Sequence, residues 1–225
     1  MVDEANGGRT MNSRTIRFAL RSLLLISFFS SPCWAYYEVL DTGEILPKGS
    51  YKLTGDAQLL TDPGGVNVGA IIDAGFQDEF GARALVGFGR TDYFVGAMFK
   101  WIPIPDVDGQ PAVGFNLGLI YAKWNDANDL TFRFDPLISK KFNLDNTVLT
   151  PYASIPLGVR MRNSSTQDTA SHVTAQLALG SQLQVERWKN LQFMAEVGLD
   201  LSHAYSYVTA AAVWYFDEEH GFQLK

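Results

Sequence analysis

From Tyr51 onward, apolar and polar residues alternate along the chain. Between residues 51 and 59, one face carries Tyr51, Leu53, Gly55, Ala57 and Leu59, and the other carries Lys52, Thr54, Asp56 and Gln58. Successive side chains of a β-strand point to opposite faces, so a period of two predicts a strand with one apolar face. No convincing helical period appears beyond residue 35. The pattern therefore predicts an all-β chain.

The alternation recurs in ten segments, which are separated by polar or turn-forming residues. These segments cover residues 51–59, 66–76, 80–90, 92–102, 112–124, 129–140, 147–161, 170–187, 190–201 and 205–216. Long strands in an even number favour an antiparallel up-and-down transmembrane β-barrel of about ten strands, within a range of about eight to twelve. Pro136, Pro151 and Pro156 fall inside the sixth and seventh strands, where a missing N–H predicts a bulge, a shortened strand or a strand that extends past the membrane.

The first 35 residues have the pattern of a cleavable secretory signal. Three arginines precede a short apolar run, and small residues lead up to Ala35, after which we expect cleavage. Asp3 and Glu4 do not suit a basic leader, so we expect translation to start at Met11. The leader also contains Cys33, the single cysteine of the chain, so the exported protein is expected to have no disulfide.

This division predicts three further segments. Residues 36–48 are expected to form a periplasmic N-terminal segment, residues 49–216 the barrel, and residues 217–225 a polar tail. The longest loop at the outward rim is expected at residues 162–171, which are polar and suited to surface recognition.

The composition narrows the class of partner. The 225 residues carry a formal net charge of −6, so there is no basic field for phosphate and no nucleic-acid partner is expected. The mean hydropathy of −0.02 argues against a bundle of membrane helices. It does not exclude a membrane barrel, whose apolar and polar faces average out.

Alternation alone does not distinguish a membrane barrel from a soluble barrel, because the apolar face can point outward or inward. Aromatic residues near the strand ends favour the membrane barrel, in which they form belts at the two interfaces. The predicted interface aromatics are Tyr51, Tyr93, Trp101, Trp188, Tyr207, Trp214 and Phe216.

Charged residues on the polar faces are then expected to meet inside a narrow lumen, where opposite charges can pair. The predicted lumen-facing charges are Asp56, Asp73, Arg83, Lys100, Arg133, Asp135, Arg160, Glu196 and Asp200.

The last predicted strand ends in an aromatic residue. Val208, Ala210, Ala212, Trp214 and Phe216 share one face. This strand, together with the leader and the strand pattern, resembles Gram-negative outer-membrane β-barrel proteins. The resemblance implies residence in the outer membrane, contact with its lipid, and recognition of the last strand by the barrel-assembly machinery. The tail beyond Phe216 departs from the family, which usually ends at the aromatic residue.

The sequence offers little catalytic chemistry. His172 and His203 are expected near the outward rim beside Ser171, Ser202 and Ser206, with Asp200 as a candidate orienting carboxylate, but the spacing matches no hydrolase motif. We therefore expect no enzymatic activity, catalytic residue, metal site or cofactor.

The leading functional hypothesis is a largely plugged outer-membrane barrel with a structural or surface-interaction role, or a narrow pore. The alternatives are a rim enzyme acting on lipid or peptide, and a secreted soluble barrel that binds a hydrophobic ligand. The sequence does not predict the oligomeric state.

Overall fold

The computed structural model describes residues 38–61, 64–107, 109–164, 167–188, 190–219 and 221; side chains are not described at residues 167–169. The predicted leader, its start at Met11 and its cleavage after Ala35 lie outside the described residues, as do the last four residues of the tail. Within the described part, no helix is long and apolar enough to cross a membrane.

Twelve strand segments make up the described part of the fold. They are β1 (Ser50–Leu60), β2 (Gly65–Gln77), β3 (Phe80–Gly89), β4 (Tyr93–Ile104), β5 (Ala112–Trp124), β6 (Ala127–Ser139), β7 (Phe142–Leu144), β8 (Thr147–Ser154), β9 (Leu157–Ser164), β10 (Gln167–Val185), β11 (Leu191–Ser202) and β12 (Tyr207–Asp217). These strands pair with one another in antiparallel fashion. The all-β prediction is confirmed.

The sheet closes on itself. β1 pairs with β2 on one side and with β12 on the other, from Ser50 opposite Asp217 to Leu60 opposite Tyr207. β6 and β7 form one wall strand, since both pair with β8, and β8 and β9 form another, since both lie between β6 and β10. The twelve segments therefore make a closed antiparallel barrel of ten strands, as the alternation predicted.

Of the three prolines, Pro156 acts as the sequence predicted, whereas Pro136 and Pro151 lie inside the uninterrupted segments β6 and β8. The seventh wall strand is interrupted at Ile155 and Pro156, between β8 and β9. The carbonyl of Pro136 accepts hydrogen bonds from the Ile155 N–H and from Ser154 Oγ, which preserves contact between the walls at the break. The predicted loop at residues 162–171 is wrong in extent, because β9 continues to Ser164 and β10 begins at Gln167.

We call the end of the barrel that carries Ser50 and Asp217 the terminal rim, and the opposite end the distal rim. The connections that follow β1, β3, β5, β9 and β11 lie at the distal rim. All of them are short, so little of the chain projects beyond the wall there.

The two faces of the wall have opposite chemistry. Within the described part, thirty-two large apolar side chains are at least a third exposed, and those in strands lie on the outer face. The inner face holds most of the buried charged and amide side chains, together with an apolar cluster that includes Phe94 and Ile120. This arrangement is the reverse of a water-soluble domain, which buries apolar residues and exposes charged ones.

The segment before β1 enters the barrel. Val39, Leu40, Asp41 and Thr42 are almost completely buried, although the sequence prediction placed residues 36–48 in the periplasm, outside the wall. We call residues 38–46 the internal segment. The structure differs from the prediction here because these residues hydrogen-bond to side chains of the inner face rather than to water.

Candidate functional site

The candidate site is the charged lumen. Eight of the nine predicted lumen-facing charges are buried within the barrel, namely Asp56, Asp73, Arg83, Lys100, Arg133, Asp135, Arg160 and Glu196. Asp200 is the exception, since it is exposed at the distal rim, where its Oδ1 accepts a hydrogen bond from the Ala204 N–H. Its prediction as a lumen residue is wrong because β11 reaches the rim turn at this point.

Asp41 of the internal segment lies at the centre of one group of charges. Its Oδ1 is 2.8 Å from Nζ of Lys100, 3.2 Å from an Nη of Arg83 and 3.3 Å from Nζ of Lys52. Its Oδ2 accepts a hydrogen bond from Asn116 Nδ2 at 3.0 Å. Side chains of four wall strands, β1, β3, β4 and β5, therefore converge on one carboxylate.

Asp73 in β2 completes this group, which we call the Asp41 cluster: Asp41, Lys52, Asp73, Arg83 and Lys100. Arg83 Nε donates to Asp73 Oδ1 at 2.7 Å, and Lys52 Nζ lies 3.2 Å from Asp73 Oδ2. All five side chains are buried, so each charge depends on the others for the solvation that water would otherwise give.

The Asp41 cluster also fixes the backbone of the internal segment. Arg83 donates to the carbonyls of Val39 and Leu40, and Lys100 Nζ donates to the carbonyl of Thr42 at 2.9 Å. Burial alone would raise the pKa of Asp41, but Arg83, Lys100 and Lys52 outweigh it and hold that pKa below its usual value. The aspartate is therefore ionised at neutral pH.

A second group lies around Glu196 in β11. Its carboxylate accepts four hydrogen bonds: from the N–H groups of Val39 and Leu40 at 2.8 and 2.7 Å, from Tyr152 Oη at 2.7 Å, and from Tyr207 Oη at 2.5 Å. We call Glu38, Asp56, Tyr152, Glu196 and Tyr207 the Glu196 cluster. It binds the internal segment by its N–H groups, whereas Arg83 and Lys100 bind carbonyls of the same segment.

Two glycines make room for the tyrosines of this cluster. A Cβ at Gly198 would lie 2.3 Å from the ring of Tyr207, and a Cβ at Gly180 would lie 2.3 Å from the ring of Tyr152. Each ring packs against a glycine of the neighbouring strand, where no side chain is in the way, and its hydroxyl reaches Glu196. Tyr207 is 1% exposed, so its prediction as a membrane-interface aromatic is wrong: it is on the inner face of β12.

The other six predicted interface aromatics do not point into the lumen. Tyr51 and Phe216 stack at the terminal rim with ring centroids 5.3 Å apart, and Tyr51 Oη donates to Glu218. Trp101 packs between Phe80 and Phe115, at 5.9 and 5.3 Å. Tyr93 and Trp188 are both 44% exposed, and Trp214 and Phe216 share the outward parity of β12.

The internal segment leaves the barrel at the terminal rim. The carbonyls of Leu46 and Pro47 lie where a Cβ of Gly75 would be, at 2.2 and 2.4 Å, so the wall needs a glycine at this close approach. Glu44 accepts a hydrogen bond from Tyr215 Oη at 2.6 Å. Cavities of about 240 and 360 Å³ flank the segment at this end.

An apolar group lies at the distal end of the lumen, beside the buried charges of Asp129 and Arg160. Leu60, Phe94, Trp124 and Tyr205 are buried there, and the Trp124 and Tyr205 rings lie 5.6 Å apart. The Tyr205 carbonyl accepts a hydrogen bond from Gln176 Nε2 at 2.6 Å, which joins the turn after β11 to β10.

His172 and His203 lie in contact at the distal rim, where the sequence placed both. The rings of His172 and His203 stack at 5.1 Å, and Ser202 Oγ lies 3.1 Å from His203 Nδ1. No described group of three or more His, Cys, Asp and Glu residues has the arrangement of a metal site.

Sequence reasoning missed several lumen charges. Lys52 and Asp129 follow the same alternation as the predicted residues and could have been included; Asp129 pairs with Arg162 at 3.3 Å. Glu38 and Asp41 precede the first strand, where no periodic pattern indicates an environment, so alternation gives no signal for them.

No family model matches the sequence, and no curated protein matches it. Among solved structures, the chain is similar to a barrel described as "De novo design of transmembrane beta-barrels" (12% identity, TM-score 0.40, 77% of this chain and 100% of that one). It is also similar to the N-terminal β-barrel domain of Pseudomonas aeruginosa OprF (11%, 0.33, 75% and 98%) and to Ail, the attachment invasion locus protein of Yersinia pestis (12%, 0.29, 75% and 99%). The function of this chain therefore has to follow from its own residues.

Proposed function

We propose that the protein is an integral outer-membrane β-barrel that does not conduct solutes and has a structural or surface-interaction role. The observation that carries this proposal is the reversal of the two faces, with charges inside the wall and apolar side chains outside it. In water, an apolar surface of this extent would drive aggregation, whereas lipid tails cover it at no cost.

The strand lengths support a membrane location. The uninterrupted wall strands have 10–13 residues, except for the longer β10, and a tilted membrane strand needs about 9–11 residues. A soluble carrier of a hydrophobic ligand would need an apolar cavity within the wall. Here the lumen is charged and is occupied by the internal segment.

The internal segment favours a closed barrel rather than a narrow pore. Asp41 and Thr42 are 0% and 1% exposed, and their contacts come from several sides of the wall. Conduction would require the Asp41 cluster to separate, leaving charges without partners in a region of low polarity.

The proposal places both ends of the barrel in the periplasm, after export through the cleaved leader and recognition of β12 by the barrel-assembly machinery. The distal rim then faces outward, where His172 and His203 lie. Asp200 Oδ1 accepts a backbone N–H there, and we propose no catalytic role for this rim. Loss of a measured lipase or protease activity in both His172→Ala and His203→Ala would contradict this part.

Cell fractionation tests the proposal. We expect the protein in the detergent-extracted outer-membrane fraction, migrating faster on a gel before heating than after it. Recovery in the soluble fraction after osmotic release would overturn the membrane location. In planar bilayers we expect no conductance steps from the purified protein, and regular steps would overturn the closed barrel while leaving the membrane location intact.

A further inference from the structure

The distal rim has a step between β10 and β11. Pairing of β10 with β9 starts at Gln167, opposite Ser164, whereas its pairing with β11 starts only at Ala175, opposite Ser202. Among the described strands, none pairs with the other edge of residues 170–174. At about 3.3 Å per residue, β10 continues for roughly 25 Å past the end of β11. We call the unpaired side of residues 170–174 the β10 edge.

Backbone hydrogen bonds show which groups point to the β10 edge. The N–H of Gln176 donates to the Pro156 carbonyl, on the side of β9, and successive residues of a strand direct these groups to alternate sides. The ladder with β9 is regular along this stretch, so Ser171 and Val173 direct theirs away from β9. In agreement, the Val173 carbonyl accepts a hydrogen bond from Ser202 Oγ at 3.5 Å. The N–H of Val173 and both backbone groups of Ser171 therefore face the β10 edge.

An unpaired edge of this kind is a template for another strand. Natural sheets block such edges with proline or lysine, and residues 170–174 include neither. The bulge in the ladder with β9 lies before Ala170, outside the β10 edge. An extended peptide can thus add to the sheet through main-chain hydrogen bonds, while the neighbours on each face select its side chains.

The inner face beside the β10 edge is positively charged. His172 lies on this face, and its ring stacks on that of His203. Arg160 and Arg162 of β9 interact electrostatically with His172. Asp129 does so too, but it already pairs with Arg162 at 3.3 Å. An acidic side chain on the inner face of an added strand therefore complements this surface.

A second copy of the barrel in the same membrane does not fit the β10 edge. A twofold axis along the membrane normal makes the two β10 edges run in the same direction, which excludes an antiparallel ladder. Strands of membrane barrels tilt by about 35–45°, so the two edges would also cross at roughly twice that angle. A peptide segment can align with the edge without this constraint.

We infer that the β10 edge binds an extended peptide segment of another protein, in antiparallel fashion, in which acidic and apolar residues alternate. The acidic side chains lie beside His172 on the inner face. The apolar ones lie beside Val173, which is 68% exposed on the outer face. The inference rests on the proposed surface-interaction role, because the β10 edge reaches a partner outside the cell only if the distal rim faces outward.

A synthetic peptide tests the pairing. The probe has about seven residues of alternating valine and glutamate, blocked ends and a fluorescent label, and is titrated onto the purified protein in detergent micelles. Directly opposite residues of an antiparallel pair share a face, so a valine opposite Ser171 directs its N–H to the β10 edge and the glutamate N–H groups point away. We expect N-methylation of the valine amides to weaken binding at least about tenfold, and N-methylation of the glutamate amides, the matched control, to have little effect. Equal effects of the two modifications would overturn the pairing.

The charge of the partner is tested with the same peptide. Replacement of its glutamates by lysine should weaken binding at least about tenfold at low salt, because the lysines meet the positive inner face. A lysine peptide that binds as tightly as the glutamate peptide contradicts the acidic partner.

The variant Ser171→Pro tests the protein side of the contact. Proline removes an N–H that faces the β10 edge and is not used by the ladder with β9, so the barrel should still fold. We expect the glutamate peptide to bind at least about tenfold more weakly, whereas Ser171→Ala, which keeps the N–H, should bind it as the wild type does. Unchanged binding by the folded Ser171→Pro variant rules out the β10 edge as the site.

Amide hydrogen exchange of the wild type decides if Ser171→Pro does not fold. Without peptide, the Ser171 amide should exchange fast and the His172 amide, which faces β9, should exchange slowly. The peptide should slow the Ser171 amide at least about tenfold and leave His172 unchanged. A Ser171 amide that is protected before peptide is added shows that the edge is already paired, and the inference fails.

Two further outcomes are distinguishable. A dimer that Ser171→Pro converts to monomers assigns the β10 edge to a second copy and overturns the peptide partner. Absence of peptide binding by a protein recovered in the outer membrane overturns the inference alone, since fractionation tests the membrane location separately.

Discussion

Oδ1 of Asp41 lies 2.8 Å from Nζ of Lys100, although 58 residues lie between them in the sequence, and both side chains are buried. This contact joins the internal segment to the middle of the barrel wall. It belongs to a network in which each charge has a partner, so the loss of one member exposes the others to the cost of burial.

We expect Asp41→Asn to destabilise the protein by about 3 kcal/mol, because it leaves Lys52, Arg83 and Lys100 with Asp73 as the remaining carboxylate of the cluster. The midpoint of urea unfolding in lipid vesicles, followed by tryptophan fluorescence, measures this. The exposed Asp126→Asn should leave the midpoint unchanged. Equal midpoints for Asp41→Asn and wild type would mean that the cluster does not hold the internal segment.

Tyr207→Phe should lower the free energy of unfolding by about 1–3 kcal/mol, because Glu196 loses a charge-assisted hydrogen bond inside the lumen. Tyr93→Phe, at an exposed position on the outer face, should have little effect. The same urea titration compares the two variants. If Tyr93→Phe is the more damaging change, Tyr207 has been assigned to the wrong face.

Leu119→Arg tests the contact between the outer face and lipid. Leu119 lies in the middle of β5 and is 49% exposed, so a membrane barrel should lose about 2–4 kcal/mol, the cost of a cation at the bilayer midplane. Val107→Arg, in the connection after β4, lies outside the wall strands and should cost less. Folded yield into vesicles is the measurement, and similar yields for both variants would argue against a lipid-covered wall.

Phe216→Ala should reduce the amount of folded protein in the outer membrane. Phe216 stacks on Tyr51 across the seam between β12 and β1, and we propose that it is also read by the assembly machinery. Phe142→Ala, an exposed aromatic of β7, is the control. Refolding of the purified variant into vesicles separates the two effects, since a lost assembly signal leaves unassisted refolding normal and a lost seam contact does not.

Much of the wall could be predicted from the sequence. Strand alternation is a local property, so ten strands and the faces of residues such as Asp73 and Arg83 follow from period two alone. Errors occurred at strand ends. Asp200 has the inward parity of β11 but lies near the distal end of that strand, where it is exposed, and Tyr207 was grouped with the aromatics by its position in the strand although alternation puts it on the inner face.

The internal segment could not be predicted in this way. Residues 38–46 have no regular secondary structure, and their burial depends on partners that are distant in sequence, such as Glu196 and Lys100. Alternation also does not decide which face is outside. That choice depends on where the charges find partners, which is a property of the closed barrel.

The Gly75 approach and the Glu196 hydrogen bonds have a consequence for the order of assembly. The internal segment directly precedes β1, and β1 meets β12 at the seam that joins the two ends of the chain. The closed barrel is so tightly packed around the internal segment that this polar segment could not enter it after closure. The segment therefore has to be in position while the seam is open, so that the last strands to be made close around the residues that precede β1.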